Sequence, residues 1–320
     1  MLIPVLLFAL GLVLLIKGGD WFVDAASGIA HRFHMPELLI GATVVSIGTT
    51  LPEVMVSAQG AMAGSGAISF GNAIGSVICN TSLIAAITLL VSPAKTDRRT
   101  LILPSAAFFI AAAFYCFNAY AFGAFSRASG IVLLAMFVIY MIVTVMQMKK
   151  NPEPAAEQEE APEGSATRDV VMLIVGAAVI AIGARLLVDN AQILAKAIGV
   201  PESVIALTLV ALGTSLPELV TAITSLVKGH GSLSLGNVIG ANIFNLVLVS
   251  GVSTVLAPFE VPQSSTLFGH NASLVLDIPL MLFVMAFLTL PALLTKKLHR
   301  SQGIILLCVY AGFCALQFIM

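Results

Sequence analysis

The chain has 320 residues, of which 59% are apolar and 10% charged, with a mean hydropathy of +1.04 and a formal net charge of −1. Soluble domains lie nearer roughly 45–50% apolar and about 25% charged residues, so a water-soluble globule is excluded and an all-α polytopic membrane protein is implied. The near-neutral sum gives no basis for nucleic-acid binding, and in such a chain the placement of charge carries more meaning than its total.

At about 20 apolar residues per crossing, ten spans are predicted at 3–29, 37–63, 68–91, 99–118, 128–148, 169–197, 202–228, 233–257, 270–293 and 303–319. The first has neither a basic leader nor a small-residue cleavage site, so it is expected to stay as a membrane helix and not as a signal peptide. The second span carries GATVVSIGTTLPE (Gly41–Glu53) and the third GNAIGSVICN (Gly71–Asn80). After the fifth span, residues 151–168 are rich in Pro, Glu and Ala without apolar periodicity. They read as a hydrophilic linker between a first five-helix half, 1–150, and a second, 169–320. The seventh span carries ALTLVALGTSLPE (Ala206–Glu218) and the eighth GNVIGANIFN (Gly236–Asn245).

Charge placement orients the chain. With the amino terminus outside, Arg32, Lys95, Arg98, Arg99, Lys149, Lys150, Arg168, Lys228, Lys296, Lys297 and Arg300 fall on the cytoplasmic side, leaving only Arg127 and Lys196 in external loops. The positive-inside rule then predicts both termini outside and the linker in the cytoplasm of an inner (plasma) membrane. Cys79, Cys116, Cys308 and Cys314 lie in apolar runs without metal-ligand spacing and read as small buried residues. No Ser/His/Asp set, HExxH or phosphate loop is present, so no enzyme is expected.

Shifting the chain by 165 residues aligns Pro36–Leu83 with Pro201–Leu248 without a gap, at about 20 identical positions of 48. Five crossings separate the copies. An odd number turns the second upside down, so the fold is read as two inverted five-helix repeats, an architecture of secondary transporters.

The repeated segments place carboxylates, hydroxyls and carboxamides inside apolar spans. Pro52 cannot donate to the carbonyl of Gly48 and disfavours helical geometry at Leu51, so the second helix is expected to be broken or kinked near Gly48–Pro52, freeing carbonyls around Ser46–Thr49. Thr49 and Thr50 add hydroxyls, and Glu53 lies about one turn on. Pro217, Thr214, Ser215 and Glu218 repeat the construction, with carbonyls near Ala211–Gly213 released. Asn80 and Asn245 come from the neighbouring helices, with Ser76 one turn before Asn80. Two carboxylates among neutral oxygens suit hard cations, Ca²⁺ with its six to eight oxygen ligands and Na⁺ by the same logic. Intramembrane acids are rare and usually functional, whereas the asparagines can also serve as hydrogen-bonding glue between helices. Gly71, Gly75, Gly236 and Gly240 read as a packing face. Asp24 and Asp189 lie toward helix ends; Asp277, Lys17 and Arg185 read as snorkelling or locally paired.

GTTLPE and GTSLPE, followed by GNAIGSVICN and GNVIGANIFN, resemble the two α-repeats of the cation/Ca²⁺ antiporter superfamily, most closely its prokaryotic Na⁺/Ca²⁺ exchangers. The resemblance implies a secondary-active antiporter that exchanges Ca²⁺ for Na⁺ by alternating access, with helices 1 and 6 moving over helices 2, 3, 7 and 8. It implies a central Ca²⁺ site of Glu53 and Glu218 with the carbonyls of Thr49 and Thr214. Thr50, Ser215, Ser76 and the carbonyls of Ser46 and Ala211 match residues around flanking Na⁺ sites, and Asn80 a central polar ligand. Two positions depart from the pattern: Asn245 stands where many exchangers have aspartate, and Ala241 where serine is usual. The transported ions are the only ligands expected, with no cofactor and no obligatory protein partner beyond the bilayer. The rival readings are a Ca²⁺/H⁺ antiporter using the two glutamates as proton carriers and a passive cation channel.

Overall fold

The computed structural model describes residues 2–93, 96–150, 165–198, 211–263, 266–267 and 269–319. Its helices are α1 (Leu2–Arg32), α2 (Glu37–Met62), α3 (Gly66–Val91), α4 (Arg98–Phe122), α5 (Arg127–Lys150), α6 (Ala166–Ala197), α7 (Leu216–Val227), α8 (Gly231–Leu256), α9 (Ser273–Thr295) and α10 (Arg300–Ile319). Nine of the described helices are long and apolar enough to cross a membrane; α7, which starts after Ser215, is shorter, and the first part of its predicted span, through residue 210, lies outside the described residues. Side chains such as Leu6, Ile110, Ile139 and Ile174 point outward all along the bundle, the expected inversion for a surface solvated by lipid.

The loops sort to two ends. At one end the α3–α4 and α9–α10 loops meet where Thr96 N donates to Lys296 O (3.1 Å), and Gln147 Nε2 of α5 donates to Arg99 O of α4 (2.7 Å). At the other, the two-residue strand β1 (Ala124–Phe125) pairs antiparallel with β2 (Phe259–Glu260), tying the α4–α5 loop to the α8–α9 loop. Helix α6 starts inside the segment read as linker because Ser165 caps it, accepting from Arg168 N (3.2 Å).

Glycines set the two closest helix contacts. A Cβ on Gly11 would stand 2.7 Å from Leu187 N, on Gly183 2.8 Å from Leu15 N, on Gly18 2.9 Å from Ile180 N and on Gly176 2.8 Å from Phe22 N, so α1 and α6 touch backbone to backbone. A Cβ on Gly236 would stand 2.1 Å from Leu38 O and one on Gly240 2.5 Å from Ala42 Cα, which seats α8 on α2. For Gly71 and Gly75 no described atom lies within 4 Å. The residues that would correspond to Leu38 and Ala42 in the second repeat, 203 and 207, lie outside the described residues. The reading of all four cysteines as buried is corrected: only Cys79 is buried, and Cys308 faces outward from α10.

At the first end a polar cluster fastens α1 to its neighbours. Lys228 Nζ sits 2.7 Å from Asp24 Oδ1 and 3.5 Å from Asp20 Oδ1, and Arg32 Nε sits 3.1 Å from Asp169 Oδ2. His230 Nδ1 lies 2.6 Å from Glu37 Oε1 and 3.3 Å from Ser27 Oγ. Of the other charges, Arg185 pairs with Asp189 (3.7 Å) and Asp277 accepts from Gln317 Nε2 (3.3 Å). The hydrogen bond to Glu37 holds the His230 proton and raises its pKa above the usual 6.5, against a smaller opposing effect of burial. A raised native pKa contributes stability that is complete below about pH 6.5 and fades as pH rises through the native value. The thermal midpoint of detergent-solubilised protein should therefore fall from about pH 6 to about pH 9. His230→Gln should flatten that fall, and an equal fall in the variant would show that the pair contributes nothing.

Candidate ion-binding site

The two repeated segments converge at the centre of the bundle. Helix α2 does not break at Pro52 as its sequence predicts: it runs helical through the proline, and its irregularity is a π-helical stretch, Gly41–Val45, just upstream. The carbonyl of Gly48 still lacks its proline-blocked donor, and the Phe22 ring of α1 packs against Gly48, 2.9 Å from where a Cβ would be. In the second repeat the helix is interrupted. The helical residues Ala211–Thr214 end at Ser215, and α7 restarts at Leu216 with Pro217 in its first turn, where proline costs no hydrogen bond.

Asn80 and Asn245 open two further π-helical stretches, Asn80–Ala85 in α3 and Asn245–Val249 in α8. Widened turns of this kind concentrate at functional sites. Their positions are 165 residues apart, so the backbone irregularity repeats with the sequence.

The polar groups of the two repeats are buried together. Glu53, Glu218, Thr50, Ser215, Asn80 and Asn245 are all 0% exposed. Among the described residues, no hydrogen-bond partner meets the carboxyl oxygens of Glu53 or Glu218, the carboxamides of Asn80 or Asn245, or the hydroxyls of Thr50 or Ser215. These are three pairs, each related by the 165-residue shift. An unpaired buried polar group costs about 1–3 kcal/mol, more when charged, and a bound cation would give these oxygens a partner.

The facing groups are close. Glu53 and Glu218 repel one another when both are ionised, and the hydroxyls of Thr49 and Thr50 approach the Glu218 carboxyl from the opposite helix. Cys79 adjoins Ser215 and Glu218. Ser46 is buried with its hydroxyl donating to Gly41 O (2.8 Å); the role expected of it is its carbonyl's. Ser76 is buried one turn before Asn80, Thr214 is half-buried, and Ala211 is the first described residue of the helical segment that ends at Thr214. Ala241 is fully buried with no hydroxyl to offer.

The expected residue set leaves out Asn72 and Asn237. Thr49 Oγ1 donates to Asn237 Oδ1 (3.2 Å) and Thr214 Oγ1 to Asn72 Oδ1 (3.3 Å), each bond crossing from one repeat to the other. The signal for them was present, since GN recurs in both copies at Gly71–Asn72 and Gly236–Asn237.

No group of three His, Cys, Asp or Glu able to hold a metal exists among the described residues. The donors are two carboxyls amid neutral oxygens, a set for a hard, exchangeable cation and not for a tightly kept transition metal. An intramembrane oxygen cage assembled from irregular helices of two repeats defines a membrane ion transporter. A family model described as sodium/calcium exchanger protein matches residues 3–146 and 169–319, and the chain belongs to that family. It is a multi-pass cation exchanger and not an enzyme. It is 33% identical to the sodium/calcium exchanger MaX1 of Methanosarcina acetivorans, covering 98% of both chains. To a putative antiporter, CaxA, of Alkalimonas amylolytica it is 34% identical, over 99% of both. Its fold matches that of the sodium-calcium exchanger NCX_Mj soaked with Na⁺ and Sr²⁺, with a TM-score of 0.82, 34% identity and 98% of each chain covered.

Proposed function

We propose that this protein exchanges Ca²⁺ for Na⁺ by alternating access at the Glu53/Glu218 site. The observation that carries this reading is the set of three twofold-related pairs of buried groups without partners among the described residues. In it, Glu53 and Glu218 are the charged ligands of Ca²⁺, aided by the carbonyls of Thr49 and Thr214 and the carboxamide of Asn80. Thr50, Ser215, Ser76, Asn245 and the carbonyls of Ser46 and Ala211 serve the monovalent ions. The two ions compete for overlapping oxygens, so the carrier reorients with either bound but not empty. The α1–α6 pair, in mutual backbone contact through its glycines, moves over the core that holds the ligands. The halves are 1–150 and 169–320, and the end carrying Arg32, Lys228 and Lys296 faces the cytoplasm with the linker, as the positive-inside rule favours.

Asn245 keeps a second reading, Ca²⁺/H⁺ exchange, beside the first. With no third acid, two ionised glutamates balance one Ca²⁺, two Na⁺ or two H⁺, whereas three Na⁺ would leave about +1 in a low-dielectric site, which is unfavourable. The K⁺-dependent branch is acidic at this position, which argues against K⁺ co-transport. Ca²⁺ uptake into proteoliposomes under an outward Na⁺ gradient at clamped pH separates the readings. Uptake only under a pH gradient would overturn the Na⁺ assignment, and flux without any counter-ion would indicate a channel. Asn245→Asp restores the acid and is expected to change the ion preference or pH dependence of uptake; unchanged behaviour would make Asn245 a structural residue.

A further inference from the structure

Helix α1 is held by two kinds of contact. Against α6 it packs backbone to backbone through glycines. Against the α7–α8 turn it is held by charge: Lys228 Nζ reaches Asp24 Oδ1 (2.7 Å), Asp20 Oδ1 (3.5 Å) and Asp20 O (3.2 Å), and His230 Nδ1 lies 3.3 Å from Ser27 Oγ. The Lys228 side chain is 25% exposed and those of Asp20 and Asp24 are 37% and 64% exposed. Water can therefore take over each charge when the contact parts.

The α2–α3 turn, at the opposite end of the bundle, is the twin of this one. Gly64 and Gly229 both take the left-handed conformation (φ +79° and +87°), and Ser65 N and His230 N donate to the related carbonyls Gly60 O (2.9 Å) and Ser225 O (2.7 Å). What differs is the pair of residues beside the glycine: Ala63 and Ser65 occupy the places of Lys228 and His230. The 165-residue shift also carries Gly11 and Gly18 of α1 onto Gly176 and Gly183 of α6, and Asp20 and Asp24 onto Arg185 and Asp189, which pair with each other within α6 (3.7 Å). The α2–α3 turn thus shares the backbone of the α7–α8 turn and has neither of its cations. In a carrier built from two inverted copies, exchanging the copies exchanges the two faces. Only residues that differ between the copies can then make one face easier to open than the other.

We propose that Lys228, with Asp20 and Asp24, is an ionic latch that holds α1 against the α7–α8 turn and biases the carrier toward the state closed at that face. Ser27 and His230 extend the same contact. Ion pairs this exposed are individually weak, enough together for a bias of about three- to tenfold and too little to lock the molecule, so the latch can open in every cycle.

The proposal rests on the alternating-access reading with α1 moving against the core, and its test keeps the two apart. Half-saturating Ca²⁺ is measured from each face in right-side-out and everted membrane vesicles, with an epitope tag in the 151–168 linker, which joins helices at the Lys228 end, reporting which face is outside. A ligand's apparent affinity scales with the fraction of carrier open to it. Lys228→Gln is therefore expected to lower half-saturation about three- to tenfold from the Lys228 face and to leave it unchanged or raised from the other, whereas Lys228→Arg, which keeps the charge, should match wild type. The gap between Lys228→Gln and wild type should shrink in 1 M choline chloride, which screens exposed charges. Equal shifts on both faces, as a merely structural lysine predicts, or no shift on either, would overturn the latch. Should Lys228→Gln not assemble, Asp24→Asn carries the test with the same expectation and the same overturning results. Wild type without saturable Ca²⁺ exchange would defeat the functional reading instead. The latch would then be read by amide hydrogen exchange over residues 20–32, expected to quicken in Lys228→Gln and, if unchanged, ruling the latch out.

Discussion

Proteoliposomes bearing Glu53→Gln or Glu218→Gln should take up Ca²⁺ no faster than empty vesicles, while the purified variants remain folded. Glutamine keeps the shape of the side chain and an oxygen ligand, so little else changes. What is lost is one of two negative charges in a site screened from water, and a bound divalent ion left half-compensated there costs several kcal/mol, each ~1.4 of which is a factor of ten in affinity. A loss of roughly a thousandfold or more follows. The same substitution removes the repulsion between Glu53 and Glu218 in the empty protein. Its thermal midpoint should therefore equal or exceed that of wild type. Activity lost with stability kept is the signature of a ligand; uptake near the wild-type rate in either variant would remove the central site from consideration.

Gly236→Ala should prevent assembly almost completely. The new methyl would fall 2.1 Å from Leu38 O and 2.8 Å from Leu38 C, both backbone atoms that no rotamer change can move. Overpacking a core costs ~1–3 kcal/mol when side chains can yield, and here the whole of α8 would have to lift from α2. Gly240 lies one turn on, against Ala42 and Ser46, so the same displacement opens the cage that holds Asn245. Gly312→Ala is the control: it is a helical glycine with no described atom within 4 Å of its Cβ position. A monodisperse yield of Gly236→Ala matching that of Gly312→Ala would show the α2–α8 contact to be adjustable.

The helices, their order and the paired acids were legible in the sequence because membrane spans are set by long apolar runs, and because a duplicated polar pattern is improbable without a shared task. The form of α2 was not. Proline rules foretell a lost hydrogen bond at Gly48, but whether the chain breaks or stays helical depends on what packs around it, here Phe22 and the face of α8. The π-helical turns at Asn80 and Asn245 were equally invisible, since a turn of extra width leaves no residue type behind. Asn72 and Asn237 lay in plain view within the repeated motif. What hid them is that their bonds are to the other repeat, a contact over 142 and 188 residues that no local spacing announces.

Those crossing bonds bear on how the molecule comes into being. The first five helices emerge from the ribosome with Thr49, Glu53 and Asn80 already committed to the bilayer, yet the groups that answer them, Asn237 and Glu218, are synthesised only later. Helix α1 likewise waits for α6 to cover its glycine seam. Neither half can complete the cross-repeat bonds of the site without the other, and a single copy could close such a site only against a second, inverted copy.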